Sequence, residues 1–376
     1  MAENKNDILK RFLTIFFVSI LTRFVLVYIS YLMLGSSSLS YFIYDVFSIA
    51  GDSPRYIDIA TNWYVALGEN AKNIVFYPLY PILLRLFSYI FRDYVLTGIV
   101  ISNVMFGVAC AMIYELALVE FNKDNAFYVP LFLITFPFGI FFFGLFTESL
   151  FVLLTVLTMY FARKHKWWLA GICGCLTSFT RVQGILVAVF VVFEYIHMIF
   201  NGETSFADGI KKIRLNILSV LIIPLGFVAY MCINKVVQGS FTAFQAHLAA
   251  PPWWQTLKWI GDNLIQHYDM AVQYHYLAFI IYYVQIALFI FCGGLLLYAV
   301  ITKMRSSYIA YTFCYMFVTY SSGWMISGGR YVMGCVPVYF LLAGIKNKTV
   351  KFVLLSLFTM LLVFYSILFM QKQAIM

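Results

Sequence analysis

Charge is scarce in this chain: Asp, Glu, Lys and Arg together make up 11% of its 376 residues, too little to clothe a soluble protein of that length. Acidic residues are fewer than basic ones, 16 against 25, for a formal charge of +9. The excess base comes in short clusters between apolar runs and never lines one soluble face, so nucleic acid is not an expected partner. Cysteine is sparse too. The seven, Cys110, Cys173, Cys175, Cys232, Cys292, Cys314 and Cys335, all lie within apolar runs. Neither a disulfide framework nor a metal cluster is indicated, and packing is their expected role. No small-residue cleavage site follows the first apolar run, which is read as a retained helix and signal anchor. No soluble domain, low-complexity tract or internal repeat stands out, which counts against an inverted-repeat transporter.

What the chain has in excess is apolar: 63% of residues are hydrophobic and the mean hydropathy is +0.88, so a bilayer must be the solvent. Runs such as Phe12 to Leu34, Leu215 to Val236 and Phe352 to Met370 reach or approach the ~20 residues a helix needs to cross the hydrocarbon core.

Placing Lys5, Lys10 and Arg11 in the cytoplasm, as the positive-inside rule prefers, sends the first helix outward. If Phe76 to Phe91 then crossed inward, the clusters Arg163/Lys164/Lys166, Lys211/Lys212/Arg214, Lys303/Arg305 and Lys346/Lys348/Lys351 would all fall outside. Letting that segment skim the outer interface, as its two prolines, Arg85 and aromatic rings suit, returns every cluster to the cytoplasm. The expected crossings are then about 12 to 34, 94 to 119, 127 to 143, 149 to 162, 167 to 180, 184 to 200, 215 to 236, 276 to 302, 307 to 322, 331 to 345 and 351 to 371, with the C-terminus outside. The expected class is an all-α polytopic membrane protein with about 11 transmembrane helices, one domain over 1–376, and two long external loops, about 35–93 and 237–275, carrying juxtamembrane helices. Polar turns at Thr147 to Ser149 and Thr180 to Gln183 face outward, as do the long loops and the Ser321 to Arg330 connection. Non-helical backbone at membrane depth must be buried in protein or face water, so an external cavity is implied.

The residues that could carry chemistry gather on that side. Gly51-Asp52-Ser53-Pro54-Arg55-Tyr56 puts a carboxylate, a guanidinium and a phenol within one or two helical turns, with Asp52 and Tyr56 on one face. The same letters read as a helix start, with Asp52 or Ser53 capping and Pro54 in the first turn. Phe76-Tyr77-Pro78-Leu79-Tyr80-Pro81 with Arg85 reads equally as an interfacial belt whose arginine snorkels to headgroups. Glu148 is harder to dismiss, since a carboxylate near hydrocarbon is costly unless paired or solvated. Arg181 with Gln183, and Arg330 with Tyr331, stand at two further outer tips where guanidinium groups suit phosphate. Arg23, mid-span, is expected to pair inside the bundle. In the second loop, Gly239 to His247 includes Gln245, and Trp253 and Trp254 suggest an interfacial lid. His247, His267 and His275 are too irregularly spaced for a metal site.

Taken in order, these segments resemble the GPI mannosyltransferase II (PIG-V-like) family of the C-type glycosyltransferase superfamily over most of the chain. Asp52, Tyr56, Ile59 and Ala60 match its first-loop Trp-Asp motif, with Gly51 in place of the Trp. Phe76 to Pro81 with Arg85, Thr147-Glu148-Ser149-Leu150-Phe151, Arg181-Val182-Gln183-Gly184, Gly239 to Gln245, and Gly329-Arg330-Tyr331 with Pro337 match later elements.

The resemblance implies a C-type glycosyltransferase bundle that moves a sugar, mannose by preference, from a polyprenyl phosphate carrier to a lipid, glycan or protein acceptor at the extracellular or luminal face. Asp52 is then the expected general base, Glu148 positions acceptor or sugar, and Arg181, Arg330 and Arg55 bind the phosphate; Tyr56, Tyr77, Tyr80, Arg85, Gln183, Gln245 and Tyr331 complete the substrate-binding set. One-step displacement inverts the anomeric centre. Arginines at the leaving group favour a metal-independent reaction, with a divalent cation on Asp52, Asp58 and Glu148 as the alternative. A prokaryotic plasma membrane is the favoured location, with membrane lipids as the surroundings. Two other classes stay open: a transporter or flippase for a lipid-linked sugar, and a non-catalytic subunit of a glycan assembly complex.

Overall fold

A computed structural model describes residues 5–35, 38–200, 213–323 and 327–373. These residues are all-helical, with no strand and one isolated bridge between Leu257 and Ser322. Six helical stretches among them are long and apolar enough to cross a membrane: Lys5–Leu34, Tyr94–Glu120, Val182–Ile199, Leu215–Gln238, Ala278–Ile301 and Lys348–Met370. A seventh arises only if the bent pair Glu69–Val75 and Leu79–Phe91, at 110°, counts as one span. The chain order begins α1 (Lys5–Leu34), α2 (Leu39–Ile49), α3 (Ser53–Asn62), α4 (Leu79–Phe91), α5 (Tyr94–Glu120), α6 (Lys123–Ala126), α7 (Tyr128–Thr135), α8 (Glu148–Arg163), α9 (Trp167–Ser178) and α10 (Val187–Ile199).

Helix α1 shows the inside-out logic of a chain solvated by lipid. Its buried stripe is Ile15, Ser19, Arg23, Leu26, Val27 and Ser30, while Phe17, Leu21, Phe24 and Leu32 stay exposed. Apolar side chains face outward, and the polar ones turn into the bundle, where protein groups can satisfy them.

The other expected crossings are shorter helices, and the most instructive is the one expected over 127 to 143. Helix α7 stops at Thr135 because Pro137 biases Phe136 away from the helical region, and Phe136 sits at φ −57°, ψ 135°. Residues 136–147 then run without α-helix through the heart of the protein, all buried. Buried backbone outside a helix needs partners. Gly139 N–H donates to Phe136 (2.9 Å), Asn103 Nδ2 to the Phe143 carbonyl (3.0 Å) and Ser149 Oγ to the Phe142 carbonyl (3.0 Å). Arg23 Nη2 donates to the carbonyl of Ile134, in the last turn of α7. The hairpin tip expected at Thr147 to Ser149 is therefore no exposed turn; the three residues are sealed inside.

At the far end of α8 lies a second charged cluster. Arg163 pairs with Glu120 (2.6 Å) and Glu194 (3.3 Å), Arg305 with Glu194 (2.7 Å), and Ser307 donates to Glu194 (2.5 Å). The 16 residues of α8 hold this pole roughly 24 Å from Glu148. Of the basic clusters read as cytoplasmic, Lys211 and Lys212 lie outside the described residues.

The expected crossing at 331 to 345 is also broken, into Gly328–Met333 and Pro337–Ala343, with Pro337 opening the second piece.

Candidate active site

The first loop folds as a turn and a short helix. Gly51 takes φ +56°, a left-handed conformation that glycine adopts without strain, and Asp52 follows at the N-cap position of α3 with Pro54 in the first turn. The capping reading of Asp52 fails: its side chain makes no cap hydrogen bond. It turns instead to Arg330, whose Nη1 donates to Asp52 Oδ2 at 2.6 Å.

Arg330 comes from the Gly328–Met333 helix, where Gly329 lies so close against the ring of Phe138 that a Cβ there would overlap it. Its Nε donates to Glu148 Oε1, and its guanidinium lies over the rings of Phe141 (4.9 Å) and Phe146 (5.0 Å), both from the buried irregular segment. Those rings give the cation a desolvated face.

Glu148 opens α8, where the helix N-terminus favours an anion. Its Oε1 also accepts from Arg181 Nη1 at 2.7 Å. Arg181 stands in extended backbone between α9 and α10, with its guanidinium over Tyr331 (5.0 Å) and Phe151 (5.7 Å). Gly184, next along, presses on the backbone of Thr177. Two carboxylates and two guanidinium groups thus form a charge-balanced chain, Asp52 to Arg330 to Glu148 to Arg181. Exposure falls from both ends towards Glu148. The Glu148 side chain is fully buried, Arg330 is 7% exposed, Arg181 11% and Asp52 25%. Glu148 Oε2 is buried and has no hydrogen-bond partner among the described residues.

Tyr56 stands one turn beyond Asp52, buried, with its ring edge-on to Phe76 (5.2 Å) and Tyr80 (5.3 Å). Burial first, and the charge of Asp52 second, push its phenol well above the ordinary range.

The other candidates divide. Tyr80 shares a hydrogen bond with Ser102 (3.1 Å), and Tyr77 stacks on Tyr230 (4.0 Å) with its hydroxyl buried and unpartnered among the described residues. Tyr80 packs against Tyr56, and Tyr77 lies with Phe227 and Tyr230. Arg55 is not brought into the charged chain: it donates to Asn73 (3.1 Å). Gln183 is buried in the segment after Arg181, whereas Arg85 and Gln245 are exposed on α4 and on Ala243–Ala249. The alternative ion site is not assembled either, because Asp58 is enclosed by amides of Asn62 (2.9 Å), Asn70 (3.1 Å) and Asn73 (2.7 Å). No group of three or more metal-ligating side chains occurs among the described residues. Arg23 finds no carboxylate there; it caps α7 and lies over Phe106 (4.7 Å).

Sequence reasoning overlooked the residues that tie the segment before α4 to the helix Leu225–Gln238 and the stretch after it. Gln238 Nε2 donates to the Ala71 carbonyl (2.7 Å), Tyr230 hydroxyl to the Ile74 carbonyl (2.6 Å), and Asn234 Oδ1 accepts from Phe244 N–H (2.9 Å). The signal was there: Tyr230, Asn234 and Gln238 fall four residues apart, a polar stripe on a largely apolar helix. No family model and no curated protein matches this chain.

Proposed function

We propose that the chain is a membrane glycosyltransferase, by its motifs a mannosyltransferase, that takes the sugar of a polyprenyl phosphate sugar and places it on an acceptor hydroxyl at the extracellular or luminal face. The observation that carries the proposal is the Asp52–Arg330–Glu148–Arg181 chain, in which four segments far apart in sequence converge on one neutral, graded cluster. A second, separate charged pole at the other end of α8 fits a bundle with a cytoplasmic end and a working end. The full reading is a C-type glycosyltransferase bundle whose shorter helices complete about 11 crossings.

In this mechanism Asp52, the most exposed member, takes the proton of the acceptor hydroxyl. The acceptor oxygen forms a bond to the anomeric carbon as the bond from that carbon to the phosphate oxygen breaks. The electron pair leaves with the polyprenyl phosphate, and the anomeric configuration inverts. Arg330 and Arg181 stabilise the departing charge; both are more than four-fifths buried, where a guanidinium acts more strongly than in water. Positive charge is thus supplied by side chains, and the reaction is read as metal-independent. Glu148 holds both arginines in place, and its second oxygen is buried without a partner among the described residues. The buried rings of Tyr56 and Tyr80 pack together behind Asp52, and in this reading they and Tyr77 belong to the substrate-binding set.

One feature favours a lipid-sugar translocator instead: the unwound segment 136–147 inside the bundle is of the kind transporters use. Sealed proteoliposomes given radiolabelled polyprenyl phosphate mannose and a membrane acceptor extract separate the two. Transfer of label to acceptor supports the enzyme; movement of intact donor between leaflets with no transfer supports the translocator.

A further inference from the structure

Arg330 has two carboxylate partners that differ in kind. Glu148 is fully buried at a helix N-terminus and also held by Arg181, so its place is fixed. Asp52 is a quarter exposed and meets Arg330 through one oxygen, at the start of a short outer helix that begins on a glycine turn. The guanidinium itself is pinned by Glu148 and by the rings of Phe141 and Phe146. Of these two carboxylates, Asp52 is the one that can leave without disturbing the buried core.

A carboxylate oxygen at 2.6 Å from a guanidinium nitrogen occupies the position that a phosphate oxygen would take. A phosphate arriving from the exposed side meets Arg330 where Asp52 now sits. The two anions compete for the same N–H, and like charges crowded together on one guanidinium are unfavourable. A base tied to Arg330 is also less available to a proton than a free one.

We infer that the donor phosphate displaces Asp52 from Arg330, so that donor binding itself releases the base for the acceptor. The inference rests on the transferase reading, in which Asp52 is the base and Arg330 faces the phosphate. It gives the site an order: donor first, acceptor second. Without donor, Asp52 stays on Arg330 and an acceptor hydroxyl meets no free base, which limits deprotonation of the wrong nucleophile. Glu148 and Arg181 do not move in this exchange; they keep Arg330 aimed.

Binding of polyprenyl phosphate, without sugar, to the full chain in phosphatidylcholine nanodiscs tests this apart from turnover. Asp52→Asn removes the competing charge and is expected to bind at least about five-fold more tightly than wild type, whereas Arg330→Gln is expected to lose most binding. Equal or weaker binding by Asp52→Asn, with wild type binding well, overturns the exchange and leaves the transferase reading standing. Absence of binding in wild type and Asp52→Asn alike overturns both. Should Asp52→Asn not fold, infrared difference spectra of wild type labelled with 13C-aspartate decide: a carboxylate band that shifts on adding polyprenyl phosphate supports the exchange, and an unshifted band overturns it.

Discussion

Arg181 and Glu148 meet at 2.7 Å with the carboxylate fully buried, a pairing that offsets part of the cost of burying that charge. Removing one partner of such a pair strands the remaining charge, at about 3–5 kcal/mol. Glu148→Gln leaves Arg181 without its carboxylate and Arg330 with Asp52 alone, and is expected to lower thermal stability in detergent by an amount in that range. Asp52→Asn breaks a more exposed pair and is expected to cost on the order of 1 kcal/mol or less while abolishing transfer. Melting curves of the two variants, beside activity, check the contrast; equal destabilisation contradicts it.

Gly51 stands where the resembling family has Trp, and its φ of +56° supplies a reason. A side chain there adopts the left-handed region at about 1–2 kcal/mol. Gly51→Ala is expected to lose about that much stability and to lower kcat more than KM, since the turn aims Asp52. Unchanged kinetics would show that the turn does not set the carboxylate's position.

Asn103 donates to the Phe143 carbonyl inside the unwound segment. Asn103→Leu leaves that carbonyl without its donor, at about 1–3 kcal/mol, and is expected to lower activity by loosening the platform under Arg330. Melting temperature together with turnover reads both effects, and a fully active variant contradicts the link between them.

The far pole is scaffold in this account. Arg305→Ala leaves Glu194 with one cation in place of two. The variant is expected to lose stability yet to bind polyprenyl phosphate with wild-type affinity once folded. A large loss of affinity at this distance would place the two poles in one functional unit.

How much of this was legible in the sequence depended on the kind of signal. Apolar runs gave the long helices, since length and hydropathy are local properties. The convergence of Asp52 and Arg330 was not legible from spacing, because 278 residues separate them and only the ordered set of motifs hinted at a shared site. A carboxylate between apolar runs had to be paired or solvated, and Glu148 is paired with Arg181 and Arg330. What spacing did not show is that Pro137 ends α7 early, so that the chain turns inside the bundle. Glu120 and Glu194 were passed over because a count of basic residues for topology does not ask where their partners are.

The central claim is that Asp52 is the base of a sugar transfer, and the direct measurement is release of radiolabelled mannose from polyprenyl phosphate mannose to an acceptor extract by purified protein, wild type beside Asp52→Asn, with and without chelator. Wild-type transfer is expected to survive the chelator and to be lost in the variant by a factor of at least about a hundred. Transfer by Asp52→Asn at the wild-type rate would contradict the claim.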